Sequence, residues 1–371
     1  MAYLVIINLF IFSFKYLHMK LLVTKIGLFL PILVLVVLLN YFVDPANLFK
    51  GKNYEKGIAK ILLEGKNIGN IDNYNERFVQ KFYINDLSER KDIVVIGSSR
   101  SMDINSQLFG VKSFFNNSMP GASLEDYYAI YGLYKKRGLL PIKIIIGIDP
   151  WIFDENSKEK RWMDISDSFY YASETKSNNF KIIKYLLESK LYKFSSLLSF
   201  SYFQNSIMNL ITHQNPGEYY LTDLEEGKDT IRHADNSISY KKSYRDMSIE
   251  QSNYLANKYL ENRYFPENIG NLDMFENYIH NLRNDNIRVY FFLPPYHPDV
   301  YNTMKSSAKY DVVFKIQEYL ETFAKDNKIE IIGSYNPYNL NLSEKDFFDG
   351  QHCRNQVINR IFLEANTTLI K

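Results

Sequence analysis

The sequence predicts an α/β fold with three layers, α/β/α, in which helices cover both faces of a mostly parallel sheet. It also predicts an N-terminal transmembrane helix and a largely helical insertion. Three observations support this prediction: an uncharged apolar run at residues 26–43, a strand–helix–strand rhythm over residues 93–154, and the return of that rhythm after residue 275. With 371 residues and 46% hydrophobic content, the chain is long enough for one large core with an insertion.

The apolar run "IGLFLPILVLVVLLNYFV" is close to the roughly 20 residues that cross a bilayer as a helix. Lys15, Lys20 and Lys25 precede it and Asp44 follows it. By the positive-inside rule, we expect a single-pass cell-membrane protein with a cytoplasmic N-terminus and an extracytoplasmic body. The alternative is a cleaved signal peptide, but the residues after Val43 are bulky, which favours an uncleaved anchor.

An earlier apolar stretch, residues 2–14, is too short to span a bilayer comfortably. It is either a second, marginal membrane segment or an extension that precedes a true start at Met19. We divide the chain into a membrane anchor at 1–45, a linker and helical lead-in at 46–90, and an α/β domain at 91–371. An insertion, or lid, interrupts this domain at 155–275.

Apolar runs and capping residues predict the elements of the α/β domain. An apolar run, Ile93–Ile96, predicts a strand, and "VKSFFNNSMPG" a short apolar element. Ser123 and Asp126 form a capping pattern that opens an amphipathic helix, which Gly138 closes. The next strand is "IKIIIGIDPWIF". Strand, helix and strand at this spacing predict a parallel βαβ unit.

In the insertion, residues 178–211 look helical, whereas residues 225–246 are polar and turn-rich. The α/β rhythm then returns. The predicted elements are a helix at 272–286, a strand and exit loop at 287–298, a helix at 312–327, a strand at 329–335, and a loop with a final helix at 346–365.

Charge and cysteine content restrict the function. The 44 basic and 42 acidic residues give a net charge of +2, which offers no electrostatic argument for nucleic acid. Cys353 is the only cysteine, so an intrachain disulfide and a cysteine metal cluster are excluded. Four histidines lack metal-ligand spacing: His18, His213, His233 and His280. We therefore expect no metal and no cofactor.

Ligands of open parallel sheets bind at the carboxyl ends of the strands, where this chain carries Ser99 and its neighbours. A serine hydroxyl becomes a nucleophile when a histidine, oriented by a carboxylate, takes its proton. "DGQH" offers that pair, since Asp349 lies three residues before His352. Two other interpretations remain for "GSSRS": a helix N-cap, and a phosphate cradle, which needs a glycine-rich loop that the chain lacks.

Four segments together resemble the sequence blocks of SGNH (GDSL-like) hydrolases: "VVIGSSRSMDI", "FNNSMPGAS", "IIGIDPW" and "DGQH". The resemblance covers residues 91–154 and 286–371 and implies an SGNH/flavodoxin-like fold. It also implies that Ser99 is the nucleophile, that His352 and Asp349 are its base and orienting carboxylate, and that Ser99 and Gly121 supply oxyanion-hole amides. Asp149 replaces the usual asparagine donor of that hole, and an ionised carboxylate cannot donate.

The Gly-Ser-Ser form behind one anchor resembles the membrane-bound envelope branch of that superfamily. This branch includes the D-alanyl-transfer (DltD-type) proteins of teichoic acid modification and the acetyl-transfer proteins of exopolysaccharide secretion. The resemblance implies a serine esterase or O-acyltransferase that acts on acyl esters of envelope glycans or teichoic acids through an acyl-serine intermediate. A multi-span membrane acyltransferase is the implied protein partner. The alternative is a catalytically inactive accessory subunit of an envelope acylation complex.

Four further residues are candidates for substrate binding, and each has a plainer alternative. Arg100 could bind an anionic group or pair with a surface carboxylate. Asn116 could contact substrate or tie its own loop together. Trp151 could line the cleft or fill the core, and His297 could face the site or be an ordinary loop residue.

Overall fold

A computed structural model describes residues 2–45, 48–49, 51–71, 73–110, 113–175, 178–212, 219–262, 265–365 and 367–369. The strands, in chain order, are β1 Asn67–Gly69, β2 Ile93–Ile96, β3 Phe114–Asn116, β4 Lys143–Gly147, β5 Tyr220–Thr222, β6 Ile231–Arg232, β7 Ile238–Ser239, β8 Arg288–Leu293 and β9 Glu330–Gly333. The helices are α1 Ala2–Val43, α2 Asn53–Leu63, α3 Glu76–Asn85, α4 Leu124–Arg137, α5 Ser166–Ser173, α6 Asn179–Leu197, α7 Phe200–Thr212, α8 Lys242–Arg245, α9 Ile249–Tyr259, α10 Leu272–Asn284, α11 Pro298–Lys305, α12 Asp311–Asn327 and α13 Asn355–Glu364.

The chain divides into two units. The first contains residues 1–51 and 183–218, and the second contains residues 52–182 and 219–371. This division differs from the predicted boundaries at two points. Most of the predicted linker at 46–90 folds into the second unit as α2, β1 and α3, and the predicted insertion at 155–275 is shared between the units.

A five-stranded parallel sheet organises the second unit, in the spatial order β3-β2-β4-β8-β9. The register pairs Val95 with Asn116, Ile96 with Ile146, and Leu293 with Gly333. The predicted α/β class with a parallel sheet is therefore confirmed. Strand order reverses between β2 and β4, because β3 lies outside β2 while the later strands extend from β4. Such a reversal leaves a crevice at the carboxyl ends of the two strands.

Both faces of this sheet are buried. Along β2, Val94 and Ile96 enter one apolar cluster, whereas Ile93 and Val95 enter another. Because side chains alternate across a strand, the two clusters lie on opposite faces. The second cluster contains the apolar side of α13, including Phe362. This double burial explains why the strands are almost continuously apolar.

Helix α4 confirms the predicted caps but not the predicted amphipathic pattern. Ser123 and Asp126 form the capping box, and Gly138 ends the helix at φ 66°. Residues Leu124 to Tyr134 are nevertheless almost all buried, because α3 and α5 also pack against α4. Asp126 additionally accepts two hydrogen bonds from Arg77 of α3, at 2.8 and 2.6 Å, and both side chains are buried.

A second, antiparallel sheet was not predicted. Its strand order is β5-β1-β6-β7, and its register pairs Asn67 with Thr222 and Ile68 with Arg232. The strands have only two or three residues, too few to show a period-two pattern. Pairing between β1 and β5 joins the lead-in to the polar half of the insertion.

Helix α1 contains the predicted membrane segment. Residues Thr24–Val43 have a mean hydropathy of 2.6, and only 6% of the most apolar window is buried. This helix is long and apolar enough to cross a membrane. The earlier apolar stretch at 2–14 is continuous with it as part of one helix.

The packing of α4 makes a prediction for Gly132. Alanine normally stabilises a helix interior by about 1 kcal/mol relative to glycine. A Cβ at Gly132, however, would lie 2.1 Å from the backbone oxygen of Ser168. We expect Gly132→Ala to destabilise the protein by roughly 1–3 kcal/mol, the cost typical of overpacking, in urea-unfolding measurements.

Gly57→Ala in α2 is the matched control, since its Cβ would meet only the hydroxyl end of Tyr219, at 3.2 Å. We expect this variant to be as stable as wild type or more stable. Equal stability of the two variants would contradict the close packing of α4 against α5.

Candidate active site

Strands β2 and β4 end at glycines whose backbones approach closely. A Cβ on Gly97 would lie 2.7 Å from Oγ of Ser101, and a Cβ on Gly147 would lie 2.0 Å from the same oxygen. Only glycine fits such contacts at either position. The turn that follows β2 therefore packs directly against the carboxyl end of β4.

The two serines of this turn have different environments. Ser98 is buried, and its Oγ accepts a hydrogen bond from the Arg100 N–H at 3.1 Å, which caps a short 3-10 turn at Ser99–Ser101. Ser99 is partly exposed, and its Oγ lies 2.9 Å from Nε2 of His352. The N-cap role that we considered for Ser99 thus belongs to Ser98, and the Ser99 hydroxyl faces a histidine.

Asp349 and His352 form a local pair in the loop before α13. Oδ1 of Asp349 accepts the backbone N–H groups of Gln351 and His352, at 2.8 and 2.9 Å. Its Oδ2 lies 2.9 Å from Nδ1 of His352. Burial would raise the pKa of Asp349, but the facing His352 and the two N–H groups outweigh it and lower the pKa to about 2. The ionised carboxylate accepts a hydrogen bond from the Nδ1–H group of His352, and in that tautomer the lone pair of Nε2 faces Ser99.

The Arg100 side chain is buried, and its guanidinium is hydrogen-bonded to protein oxygens. Its guanidinium donates to one carboxylate and three backbone carbonyls: Oδ1 of Asp149 (2.8 Å), and the oxygens of Gln351 (3.2 Å), Pro294 (2.5 Å) and Pro295 (2.8 Å). The same group lies 4.1 Å from the centre of the Tyr296 ring. It therefore connects the ends of β2, β4 and β8 to the loop that carries His352.

Asp149, the predicted third member of the oxyanion hole, faces Arg100. Burial raises the pKa of the Asp149 carboxyl above its ordinary value, and the Arg100 guanidinium opposes that shift. Both side chains are excluded from solvent. A negative charge on Asp149 is thus paired with a fixed cation, which reduces its repulsion of an anion forming near Ser99.

The backbone donors predicted for the oxyanion hole remain available. The segment after β3 runs along β2, since the N–H groups of Asn117 and Met119 bond to the oxygens of Val95 and Gly97. Gly121 follows in the left-handed region at φ 59° and is exposed. Within the described part of the chain, no hydrogen bond involves the N–H of Ser99 or Gly121.

Asn116 and Trp151 are held mainly by neighbouring backbone. Nδ2 of Asn116 donates to the oxygens of Ser101 and Ile104, at 2.8 and 2.9 Å, and the side chain is buried. Asn116 therefore ties the turn after β2 to β3. Trp151 donates from Nε1 to the oxygen of Ala122 at 3.1 Å and is partly exposed, so it alone of the four substrate-binding candidates borders solvent.

His297 packs against the loop that carries Asp349 and His352. Its backbone N–H donates to the oxygen of Gly350 at 3.2 Å. Its ring is buried, caps α11 by accepting the Asp299 N–H at Nδ1, and lies 3.2 Å from Oδ1 of Asn253 at Nε2. Burial lowers the pKa of His297, which favours the neutral form of the ring.

Tyr240, in the predicted insertion, was not identified from sequence. Its hydroxyl donates to the backbone oxygen of Ser99 at 3.3 Å, and its ring lies 6.0 Å from the His352 ring. In the preceding hairpin, β6–β7, the backbone N–H of Ile238 donates to the oxygen of Met102 at 2.9 Å. This half of the insertion is part of the site's framework, and nothing in the local pattern "SISYKK" marks Tyr240 as such.

Ser99, Asp349 and His352 are each partly exposed to solvent. A cavity of about 810 Å³ lies elsewhere in the second unit, where Tyr83, Leu87, His233 and Asp235 contribute to its lining. None of these three residues lines it.

No protein-family model matches the chain, and no curated protein matches it. Functional inference therefore depends on the geometry and on the four sequence blocks.

The Arg100 contacts make a stability prediction. Arg100→Met leaves Asp149 as a buried carboxylate without its cation and leaves three carbonyls without a donor. We expect a loss of about 3–5 kcal/mol in the free energy of unfolding, measured by urea titration in detergent.

Asp149→Asn is the control, because the amide oxygen still accepts from Arg100. We expect it to cost less than half as much as Arg100→Met. An Arg100→Met variant within about 1 kcal/mol of wild type, the size of one ordinary hydrogen bond, would contradict the role assigned to Arg100.

Proposed function

We propose that the protein is a membrane-anchored serine esterase or O-acyltransferase of the SGNH type. One observation carries this proposal: the continuous hydrogen-bond chain from Ser99 Oγ through His352 to Asp349. The parallel sheet supports it, because Ser99 follows β2 beside the reversal of strand order. The three-layer, flavodoxin-like arrangement of that superfamily belongs to the same proposal.

The reaction begins when His352 Nε2 takes the proton of Ser99 as Oγ attacks an ester carbonyl. The carbonyl π electrons move to oxygen, and the N–H groups of Ser99 and Gly121 bind the resulting oxyanion. Asp349 stabilises the imidazolium. When the tetrahedral intermediate collapses, the bond to the leaving alcohol breaks and His352 returns the proton to that alcohol. An acyl ester of Ser99 remains.

In the second half of the reaction, His352 removes a proton from water or from a glycan hydroxyl, which attacks the acyl-Ser99 carbonyl. Water gives a carboxylic acid, and therefore an esterase. A hydroxyl gives a new ester, and therefore a transferase. In both cases Ser99 leaves with the proton held by His352, and the enzyme is regenerated.

The proposed substrates are acyl esters of cell-envelope glycans or teichoic acids, and the proposed protein partner is a multi-span membrane acyltransferase. The partial exposure of Ser99 and His352, which do not line the 810 Å³ cavity, supports a polymeric substrate, since a long chain could reach them at the surface. Lys15, Lys20 and Lys25, which lie within α1 on the N-terminal side of the apolar run 26–43, support a cytoplasmic N-terminus and an extracytoplasmic body. In the binding-only alternative, nothing would require the serine, imidazole and carboxylate to stay in hydrogen-bond contact.

The paired serines supply a sharp test of the proposed chemistry. We expect a fluorophosphonate probe to label the wild-type protein and Ser98→Ala, and to leave Ser99→Ala unlabelled. Ser98→Ala is the matched control because Ser98 adjoins Ser99 in the chain, but its buried hydroxyl caps the 3-10 turn and hydrogen-bonds Asp149. We expect the loss of each of these contacts to cost about 1 kcal/mol.

Labelling is read by in-gel fluorescence on full-length protein of confirmed thermal stability. Equal labelling of wild type and Ser99→Ala would overturn the proposal. Loss of labelling in Ser98→Ala alone would show that Ser98, and not Ser99, is the nucleophile, which would also contradict the proposal.

A further inference from the structure

Helix α7 in the first unit carries an apolar surface with no charge. The segment Phe200–Thr212 contains neither an acidic nor a basic residue. Phe200, Leu210 and Ile211 are 70%, 53% and 67% exposed. Large apolar side chains grouped on one uncharged helix indicate a surface that contacts something other than water.

Polar contacts fix how α7 lies against α1. The Ser206 hydroxyl donates to Oδ1 of Asn40 at 3.0 Å, and the Tyr202 hydroxyl donates to Oδ1 of Asp44 at 2.7 Å. Asn40 also donates to the backbone oxygen of Leu197 at 2.9 Å. The two side-chain pairs are one helical turn apart on each helix and run in opposite order. The helices are therefore antiparallel.

Because α7 is antiparallel to α1, it runs back beside the apolar span of α1. From Tyr202 to Ile211 an α-helix rises about 13 Å, which is nearly half of the ~30 Å hydrocarbon thickness. The end that carries Leu210 and Ile211 thus lies beside the apolar residues that precede Asn40. Those residues are themselves exposed, for example Leu35 at 62% and Leu38 at 47%.

We infer that α7 enters the extracytoplasmic half of the bilayer beside the anchor, as a half-span helix. Asn40 would otherwise be an unpaired amide in an apolar span, and its contacts with Ser206 and Leu197 satisfy it inside the pair of helices. Helix α6, which precedes α7, carries exposed Lys184 and Lys190 among apolar residues, a composition suited to the headgroup level.

Lipid is the occupant that these contacts favour over a protein. The exposed surfaces of α7 and of the span are adjacent and uncharged. The exposed amides of α7, Gln204 and Asn205, lie near its Tyr202 end, whereas Met208, Leu210 and Ile211 beyond them are exposed and apolar, as is the neighbouring span. The inference depends on the membrane anchor proposed above and is independent of the catalytic chemistry.

Depth-dependent fluorescence quenching tests this placement. A cysteine-free background, Cys353→Ala, receives one cysteine at a time in the full-length chain: Leu210→Cys on α7, Leu30→Cys on the anchor, or Leu363→Cys on the second unit. Leu210 and Leu30 are matched at 53% exposure, and Leu363 is 63% exposed. Each protein carries an NBD label and is reconstituted into phosphatidylcholine–phosphatidylglycerol vesicles with doxyl-labelled lipids.

We expect the label at Leu210 to be quenched by the doxyl lipids at least half as strongly as the label at Leu30, and the label at Leu363 to be unaffected. Quenching at Leu30 but not at Leu210 would overturn the inference and leave the anchor intact. A Leu210 label that resists both doxyl lipid and aqueous iodide would be covered by protein, which also overturns it. Absence of quenching at Leu30 would refute the anchor itself, and with it the inference.

Discussion

The buried ion pair between Arg100 and Asp149 is the interaction on which the site depends. Arg100 follows the proposed nucleophile in the chain, and Gln351, whose carbonyl it binds, precedes His352. The contact between Ser99 and His352 is therefore positioned by the hydrogen bond between Arg100 and Gln351, the residues next to them in the chain. Burying a guanidinium is costly, and here one carboxylate and three carbonyls offset that cost. Lysine could not replace it, because its ammonium lacks the planar fork of donors.

This pair also accounts for the position where the chain departs from the SGNH pattern. A neutral asparagine at residue 149 could donate to an oxyanion, whereas the observed carboxylate accepts from Arg100. Stabilisation of the oxyanion then depends on backbone N–H groups, whose geometry the turn after β2 and the left-handed Gly121 determine. Arg100 thus positions the loop that carries His352, and its pairing with Asp149 leaves hydrogen-bond donation to the oxyanion to the backbone N–H groups.

Much of the parallel sheet could be predicted from local patterns. Strands β2 and β4 and the caps of α4 are encoded within short windows, by apolar runs and by Ser123, Asp126 and Gly138. The three residues of the hydrogen-bond chain were also predicted, because each stands in a recognisable block at a strand end or in the terminal loop.

The remaining features depend on partners distant in sequence. Arg100 and Asp149 were each considered separately, and no local pattern indicates that they pair. The contact of Tyr240 with Ser99 joins residues 141 positions apart. Strands β1 and β5 are more than 150 residues apart in the chain and pair only in the folded protein. Residues 51–90 have the composition of a linker, but contacts with distant residues, such as that of Arg77 with Asp126, hold them in the fold.

The most direct test of acyl transfer through Ser99 is intact-mass analysis with peptide mapping after brief incubation of the full-length protein with an activated acetyl ester. The proposed mechanism predicts one acetyl group on the peptide that contains Ser99, at a level that falls sharply in His352→Ala. Absence of the adduct, or an adduct on another residue that is unaffected by His352→Ala, would contradict it.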